Sequence, residues 1–412
     1  MSTHAELAER YGTPLYVYDL DRVDAARGDL FEALPEGFDL YYALKANPHP
    51  ELTRALREGP GRPCRAEISS VGELSVALAA GHPADECLYT GPGKTDTELD
   101  HALAAGVRLF SVESPGDLRR IGAHATRYGV TVRCLLRVNG ATGSANTSIR
   151  MTGRPSQFGI DSETLPGLMP DLLAVPGTQI VGAHLFTMSN AKDESGLIAE
   201  LAHAVDLATR LEHEAGMPLE YLDIGGGFAS PYAVPGRRAV YGRLRAELER
   251  LLDERLPRWR HGAPRLACES GRYLVGDSGT LLTRVVNIKE SRGSTFVILD
   301  TGINAVGGLS GLGRLLPAAV GVEGPVGDLT ASLVGPLCTP GDTLGRDIPL
   351  PSLEPGDVVA VPNAGAYGVT ASLMGFLSRP VPTEVVLRGG EVVSVSRLEP
   401  RRVHEPVKAA LG

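Results

Sequence analysis

The sequence predicts an α/β protein, a parallel (β/α)₈ barrel followed by a β-rich domain. From about Pro14 to Leu274, short apolar runs alternate with amphipathic helical stretches. Roughly eight such units in about 250 residues is the size of a (β/α)₈ barrel. After about Val275 the texture changes to β-like runs separated by Gly/Pro turns. An open doubly wound sheet is the alternative, but its glycine fingerprint after a first strand is missing.

Taken in order, Leu15–Tyr18 and Asp39–Leu44 read as strands, the second ending at Lys45-Ala46-Asn47-Pro48. Pro50–Glu58 reads as a helix. A short strand ends at Ile68–Ser69, and the helix Val71–Ala80 follows, stopped by Gly81. Leu88–Thr90 leads into Gly91-Pro92-Gly93-Lys94. Helices are expected over Thr97–Ala105, Pro115–Tyr128, Leu197–Ala215 and Arg238–Leu256. Strands are expected over Arg108–Val112, Val132–Val138, Ile180–Leu185, Tyr221–Ile224 and Arg265–Glu269. Beyond Val275, strands are expected over Leu281–Ile288, Thr295–Leu299, Ala331–Val334, Val358–Val361, Glu384–Leu387 and Val392–Val395, with a single helix over Thr370–Leu377. This is the pattern of a β-barrel or sandwich.

The 412 residues suit two domains, and 43% hydrophobic residues allow full cores. The formal net charge is -9 with no run of Lys or Arg, so neither nucleic acid nor an anionic membrane is expected as a partner. Cys64, Cys87, Cys134, Cys268 and Cys338 are scattered and odd in number, against a zinc site or a disulfide framework. No apolar run has the length of a membrane span, and Met1–Arg10 lacks a secretory apolar stretch. A cytoplasmic protein is expected.

Lys45 follows the apolar run Tyr41-Tyr42-Ala43-Leu44. At the C-terminal end of an early barrel strand it would point into the barrel mouth, where a desolvated amine suits covalent carbonyl chemistry. By position alone such a lysine is more often a surface residue opening a loop. Gly225-Gly226-Gly227 after Leu222-Asp223-Ile224 suits the close approach of a phosphate, or only a tight turn. Glu269-Ser270-Gly271-Arg272 offers a carboxylate for a pyridine nitrogen and a guanidinium for a phosphate, or an ordinary ion pair. His184 stands at a strand end, where it could stack on a flat ring or simply be a satisfied core residue. Cys338 reads either as filler in the β-domain or as a reactive thiol. Tyr367 lies in Gly365-Ala366-Tyr367-Gly368, a phenol among glycines.

In order along the chain, these segments are more specific than any one of them. Tyr42-Ala43-Leu44-Lys45-Ala46-Asn47 resembles the cofactor-lysine motif of the fold-type III pyridoxal-phosphate (PLP) decarboxylases, the ornithine, arginine and diaminopimelate decarboxylase family. Glu73-Leu74 after Ser69-Ser70, Gly91-Pro92-Gly93-Lys94, Arg137-Val138-Asn139 and Ser156-Gln157-Phe158-Gly159 resemble it too. So do the triple glycine, Glu269 to Arg272, the Gly335–Cys338 segment and the Tyr367 segment. The match covers nearly the whole chain.

The resemblance implies an alanine-racemase-like (β/α)₈ barrel plus a C-terminal β-domain. The divisions are an N-terminal segment 1–25 joining the β-domain, a PLP-binding barrel at 26–275 and the β-domain at 276–412. It implies a head-to-tail homodimer in which Cys338 and Tyr367 complete the partner's site. By resemblance, Lys45 carries the cofactor covalently, His184 stacks on its ring and Glu269 pairs with the ring nitrogen. Gly226, Gly227, Gly271, Arg272, Thr187 and Tyr367 bind the phosphate side. Cys338 is the acid that returns a proton to Cα, and Glu67 and Glu73 stand behind the lysine. Related racemases place an arginine at the ring nitrogen, so Glu269 argues for decarboxylation.

Departures bear on the substrate. Diamino-acid decarboxylases carry an acidic residue directly after the Cys, where this chain has Thr339. The glycine-rich stretch Gly307–Gly313 stands where the diaminopimelate enzymes have an arginine–tyrosine segment. Met151–Gly159, Thr187–Asn190, Cys338–Asp342 and Gly375–Pro380 are closer to the siderophore and specialised-metabolite branch, which acts on amino acids conjugated or linked to an acyl carrier protein. Arg154, Cys338 and Asp342 are the candidate substrate contacts. The alternatives are a decarboxylase of a free diamino acid, or a non-catalytic PLP-binding relative.

Overall fold

A computed structural model describes residues 3–140, 149–150, 155–186, 188–191, 193–307, 320–324 and 327–404. Arg154, Thr187 and all but the first residue of the Gly307–Gly313 stretch lie outside the described residues.

The chain divides into two units. The larger comprises Asp19–Gly279 with Asn363–Ala366. Its frame is a closed parallel barrel of eight strands: Asp39–Ala43, Arg65–Ile68, Leu88–Tyr89, Leu109–Val112, Val132–Asn139, Thr178–His184, Tyr221–Asp223 and Arg265–Ser270. Each pairs in parallel with the next. The ring closes where the eighth strand pairs with the first, with Glu269 opposite Tyr41.

Inward residues from seven of the strands form one packed layer: Tyr41, Leu88, Leu109, Leu135, Val181, Tyr221 and Ala267. Such a layer makes the barrel a solid core rather than a pore. Beneath it Tyr221 donates to Asp39 Oδ2 at 2.7 Å, and Arg65 and Arg265 pair with the same carboxylate. This polar cluster lies at the N-terminal ends of the strands and leaves the opposite mouth for chemistry.

Local chemistry sets the crossover helices. Pro50 opens Pro50–Glu58, where its missing N–H costs nothing. Thr95 and Glu98 form a reciprocal cap on Asp96–Ala105. Asp193 caps Glu194–Ala215, and left-handed Gly216 ends it. One helix starts later than its pattern suggests, at Leu244 rather than Arg238. Glu194 Oε1 accepts from the backbone N–H of Arg243 and Leu244 and so starts it there, while Arg238 is committed to Asp29 and Asp277. The helix Leu165–Leu173 was obscured by Pro166 and Pro170; the former sits in the first turn, where proline is tolerated.

The second unit comprises the chain to Tyr18, Thr280–Pro362 and the chain from Tyr367 onward. It holds an eight-stranded sheet with the path Thr343–Leu350, Leu329–Val334, Ser294–Leu299, Gly279–Ser291, Leu15–Asp19, Thr383–Arg388 and Glu391–Arg397, while Val358–Val361 pairs with Gly279–Ser291. The N-terminal strand is thus internal to this sheet. The division falls at Asp19, so the helix Leu20–Ala33 goes with the barrel and not with an N-terminal segment reaching residue 25. Leu7, Leu15, Val17, Leu282 and Val385 form the core. The expected helix Thr370–Leu377 is instead two 3₁₀ turns, Val369–Ala371 and Phe376–Ser378. Gly375 intervenes, and Leu377 and Ser378 have φ of 56° and 52°, which no right-handed helix contains.

Candidate active site

The C-terminal mouth of the barrel gathers the chemistry-bearing residues. Lys45 lies in the 3₁₀ turn Leu44–Ala46 directly after the first strand. Its Nζ donates to both oxygens of Glu67, at 2.8 and 2.9 Å. Thr90, after the third strand, donates to Glu67 Oε1 at 2.6 Å and contacts Ser69. Glu67 is therefore held from two sides. Glu73 is not part of this contact: its carboxylate accepts from the Ser69 backbone at 2.6 Å, and burial raises its pKa.

His184 ends the sixth strand, and Glu269 lies near the end of the eighth. Both are buried, with His184 Nε2 and Glu269 Oε1 3.1 Å apart. Ser111 Oγ contacts His184 Nδ1 at 2.7 Å and fixes the ring's other edge. Burial alone would depress the imidazolium, but the adjacent carboxylate outweighs it and raises the His184 pKa. Burial opposes ionisation of Glu269 as well, yet His184 draws its pKa down. The pair thus favours imidazolium and carboxylate.

Asp223, at the end of the seventh strand, completes a buried triad in which one ligand atom of each residue lies within 4.8 Å of the others. Burial, then the Glu269 charge, pushes the Asp223 carboxyl up to about 7.

Glycines bring backbone close to this cluster. A Cβ at Gly226 would lie 2.3 Å from the Glu269 carbonyl oxygen, and one at Gly271 would lie 2.8 Å from Ala46 Cβ. No side chain fits at either position, so the eighth strand packs tightly against the turn bearing Lys45. Gly271 also leads into the short helix Arg272–Val275, placing Arg272 at its first position and 5.9 Å from the Tyr232 ring.

A cavity of about 330 Å³ opens onto Lys45, Glu67, Arg137, His184, Phe186 and Glu269. Arg137 pairs with buried Glu113 at 3.1 Å and lies over Phe158. Asp223 Oδ2, Ser230 Oγ and Ser270 Oγ are buried without hydrogen-bond partners among the described residues. Orphaned buried polar atoms are costly. A flat, protonated heterocycle bearing a phosphate fits this donor set: a carboxylate for the ring nitrogen, an amine for the aldehyde, and a glycine cradle for the phosphate. The direct His184–Glu269 contact differs from the expectation that each addresses the ring separately.

Cys338, Asp342 and Tyr367 belong to the second unit. Cys338 is exposed. Tyr367 has a left-handed φ of 54°. Asp342 is engaged by the backbone around it. Its Oδ1 accepts from Ile303 N at 2.8 Å and its Oδ2 from Leu337 N at 2.7 Å, so it clamps the loop carrying Cys338. Sequence reasoning missed Ser111, Thr90 and Glu113, and gave no role to Asp223; the only available signal was polar residues at or near strand ends.

A parallel barrel with this lysine, this buried carboxylate and this glycine cradle at its mouth defines an enzyme that uses pyridoxal phosphate. Residues 20–276 match the pyridoxal-dependent decarboxylases through their pyridoxal binding domain, and the chain belongs to that family. It is a PLP-dependent amino-acid decarboxylase. It is 32% identical over 404 residues to the L-glutamyl-[BtrI acyl-carrier protein] decarboxylase of Niallia circulans, covering 95% of this chain and 92% of that one. It is 34% identical over 408 residues to the diaminopimelate decarboxylase of Methanothermobacter thermautotrophicus, covering 96% and 91%. The crystal structure of Helicobacter pylori diaminopimelate decarboxylase complexed with L-lysine superposes with a TM-score of 0.80 at 28% identity, covering 95% of each chain. Among the described residues no helix is long and apolar enough to cross a membrane.

Proposed function

We propose that this decarboxylase acts on an amino acid presented on a carrier protein or otherwise conjugated, in siderophore or other specialised-metabolite biosynthesis, and works as a homodimer with shared sites. One observation carries the substrate reading. Thr339 follows Cys338, and the nearest acidic residue after it, Asp342, spends both oxygens on backbone N–H groups. The position directly after Cys338 therefore offers no carboxylate to the distal ammonium of a free diamino acid, and an unpaired buried ammonium is heavily penalised. The likeness to the carrier-protein glutamyl decarboxylase supports this reading.

Lys45 would hold the cofactor, with Gly226, Gly227, Gly271, Arg272, Thr187 and Tyr367 about its phosphate. Pyridoxal phosphate, when bound, supplies an electron sink for the pair left at Cα as CO₂ departs. Glu269, kept ionised by His184, favours a proton on a ring nitrogen placed against it. Glu67 holds the Lys45 amine in place. Cys338, supplied across the dimer, would return the proton to Cα.

The test is a competition assay with an amino acid linked to the carrier through its side-chain carboxyl and free lysine, ornithine and diaminopimelate in one reaction. The carrier-linked form is expected to show a kcat/KM at least about a hundredfold higher, the scale of one lost buried charge contact. Preferential consumption of a free diamino acid overturns the reading.

A further inference from the structure

The second unit holds a groove of about 850 Å³ whose lining includes no catalytic candidate, formed in part by Met374, Arg379, Arg397, Leu398, Arg401 and Arg402. Four arginines meet a single carboxylate there, Glu399, which is occupied by Arg397 at 2.6 Å. Arg401 and Arg402 are exposed, with no ion-pair partner among the described residues. Composition does not explain this patch, because the whole chain has 49 acidic against 40 basic residues. Leu398 lines the groove and is 41% exposed, and Phe376 and Leu377, between the groove residues Gly375 and Ser378 in sequence, are 42% and 46% exposed. Guanidinium groups around apolar anchors suit a protein partner rich in carboxylates and phosphate.

The groove is also tied to the loop that carries Cys338. Arg379 donates to the Pro336 carbonyl at 3.3 Å. Leu373, next to Met374, donates to the Ile303 carbonyl, and Ile303 in turn donates to Asp342, the clamp of the same loop. A partner seated in the groove therefore borders the segment assigned to protonate Cα.

We infer that this arginine-lined groove is the docking site for the carrier protein that presents the substrate: a small acidic protein holding the amino acid through its side-chain carboxyl, as a thioester on a phosphodiester-linked arm, so that the α-carboxylate stays free to leave. The inference rests on the carrier-linked reading above. The charges steer the carrier, the apolar residues anchor it, and the arm enters beside the Cys338 loop.

The experiment uses the full-length holoenzyme and two substrates bearing the same amino acid, thioesterified through its side-chain carboxyl, one on the acidic carrier and one on free pantetheine. R401E/R402E should raise KM for the carrier-linked substrate at least about tenfold, the scale of losing complementary charge at an interface, with the pantetheine form unchanged. R401K/R402K should restore most of the loss. An unchanged KM in R401E/R402E, with the wild type still preferring the carrier, overturns the groove and leaves the substrate reading intact. An equal loss on both substrates also overturns it, as does a change in sedimentation, which would make the face a contact between copies of this chain. A wild type indifferent to the carrier overturns both proposals.

Discussion

Lys45 Nζ donates to both oxygens of Glu67, and the two partners differ sharply in exposure, with the lysine side chain 43% exposed and the carboxylate 2%. A buried carboxylate thus anchors an amine that still reaches the cavity. Lys45→Ala should abolish turnover and covalent cofactor attachment, read by visible absorbance and by intact mass after reduction with borohydride. Glu67→Gln should keep attachment but lower kcat by about ten- to a hundredfold, the worth of a charge-assisted hydrogen bond. Normal turnover in Lys45→Ala would sink the assignment of that residue.

Glu269 faces His184 at 3.1 Å inside a fully buried cluster. Glu269→Gln keeps the shape and removes the charge. The cofactor should still bind, and decarboxylation should slow by about two to three orders of magnitude, as when one preorganised electrostatic contact is lost. Single-turnover kinetics measure this directly, and an unchanged rate would make the glutamate structural.

Gly226 leaves no space for a side chain, since an added Cβ would stand 2.3 Å from the Glu269 carbonyl oxygen. Gly226→Ala must therefore displace the loop or the eighth strand. Cofactor affinity should fall at least about tenfold, roughly 1.4 kcal/mol, measured by fluorescence titration of the apoenzyme. Wild-type affinity would show that the glycine is only a turn residue.

In the second unit, burial pushes the Glu384 carboxyl from 4.5 up to about 7, and the Tyr18 hydroxyl, 3.0 Å away, only partly offsets this. The unfolded chain releases this proton near 4.5, while the folded chain holds it to about 7. The neutral acid's contribution to stability is complete below the lower value and lost as pH rises through the upper one. Glu384→Gln, which stays neutral, should match the wild-type Tm near pH 4.5 and exceed it near pH 8, by up to about 3 kcal/mol in stability. Equal melting temperatures at both pH values would refute the shift.

The proposed shared site has a complementation test. Lys45→Ala and Cys338→Ala lie in different units of the chain. Random re-pairing of the two variants makes half of the dimers mixed, each with one intact site, so about a quarter of wild-type activity should return. No rescue, with subunit exchange confirmed by mass spectrometry, would exclude a shared site.

The parallel barrel was legible because each strand is a short apolar run ended by a polar or glycine-containing turn, and Lys45, His184 and Glu269 stand at those ends. Ser111 and Asp223 were harder to see. A lone polar residue at or near the end of an apolar strand gains meaning only from neighbouring strands, and these meet His184 from the fourth and seventh strands. The start of Leu244–Arg255 was hidden for a similar reason, because its cap is Glu194, far away in sequence. The hold of Asp342 on its own loop was not legible, because its motif position says nothing of the two backbone N–H groups it accepts from.

The ring closes by pairing its last strand with its first, and this sets an order of events during synthesis. Lys45 leaves the ribosome early, whereas Glu269 is among the last barrel residues to be made, and the two neighbourhoods meet only on closure. A nascent chain that has not yet closed the ring carries the reactive amine without the cradle and the carboxylate that give it purpose. Capture of the cofactor in the arrangement proposed above would therefore require a completed barrel.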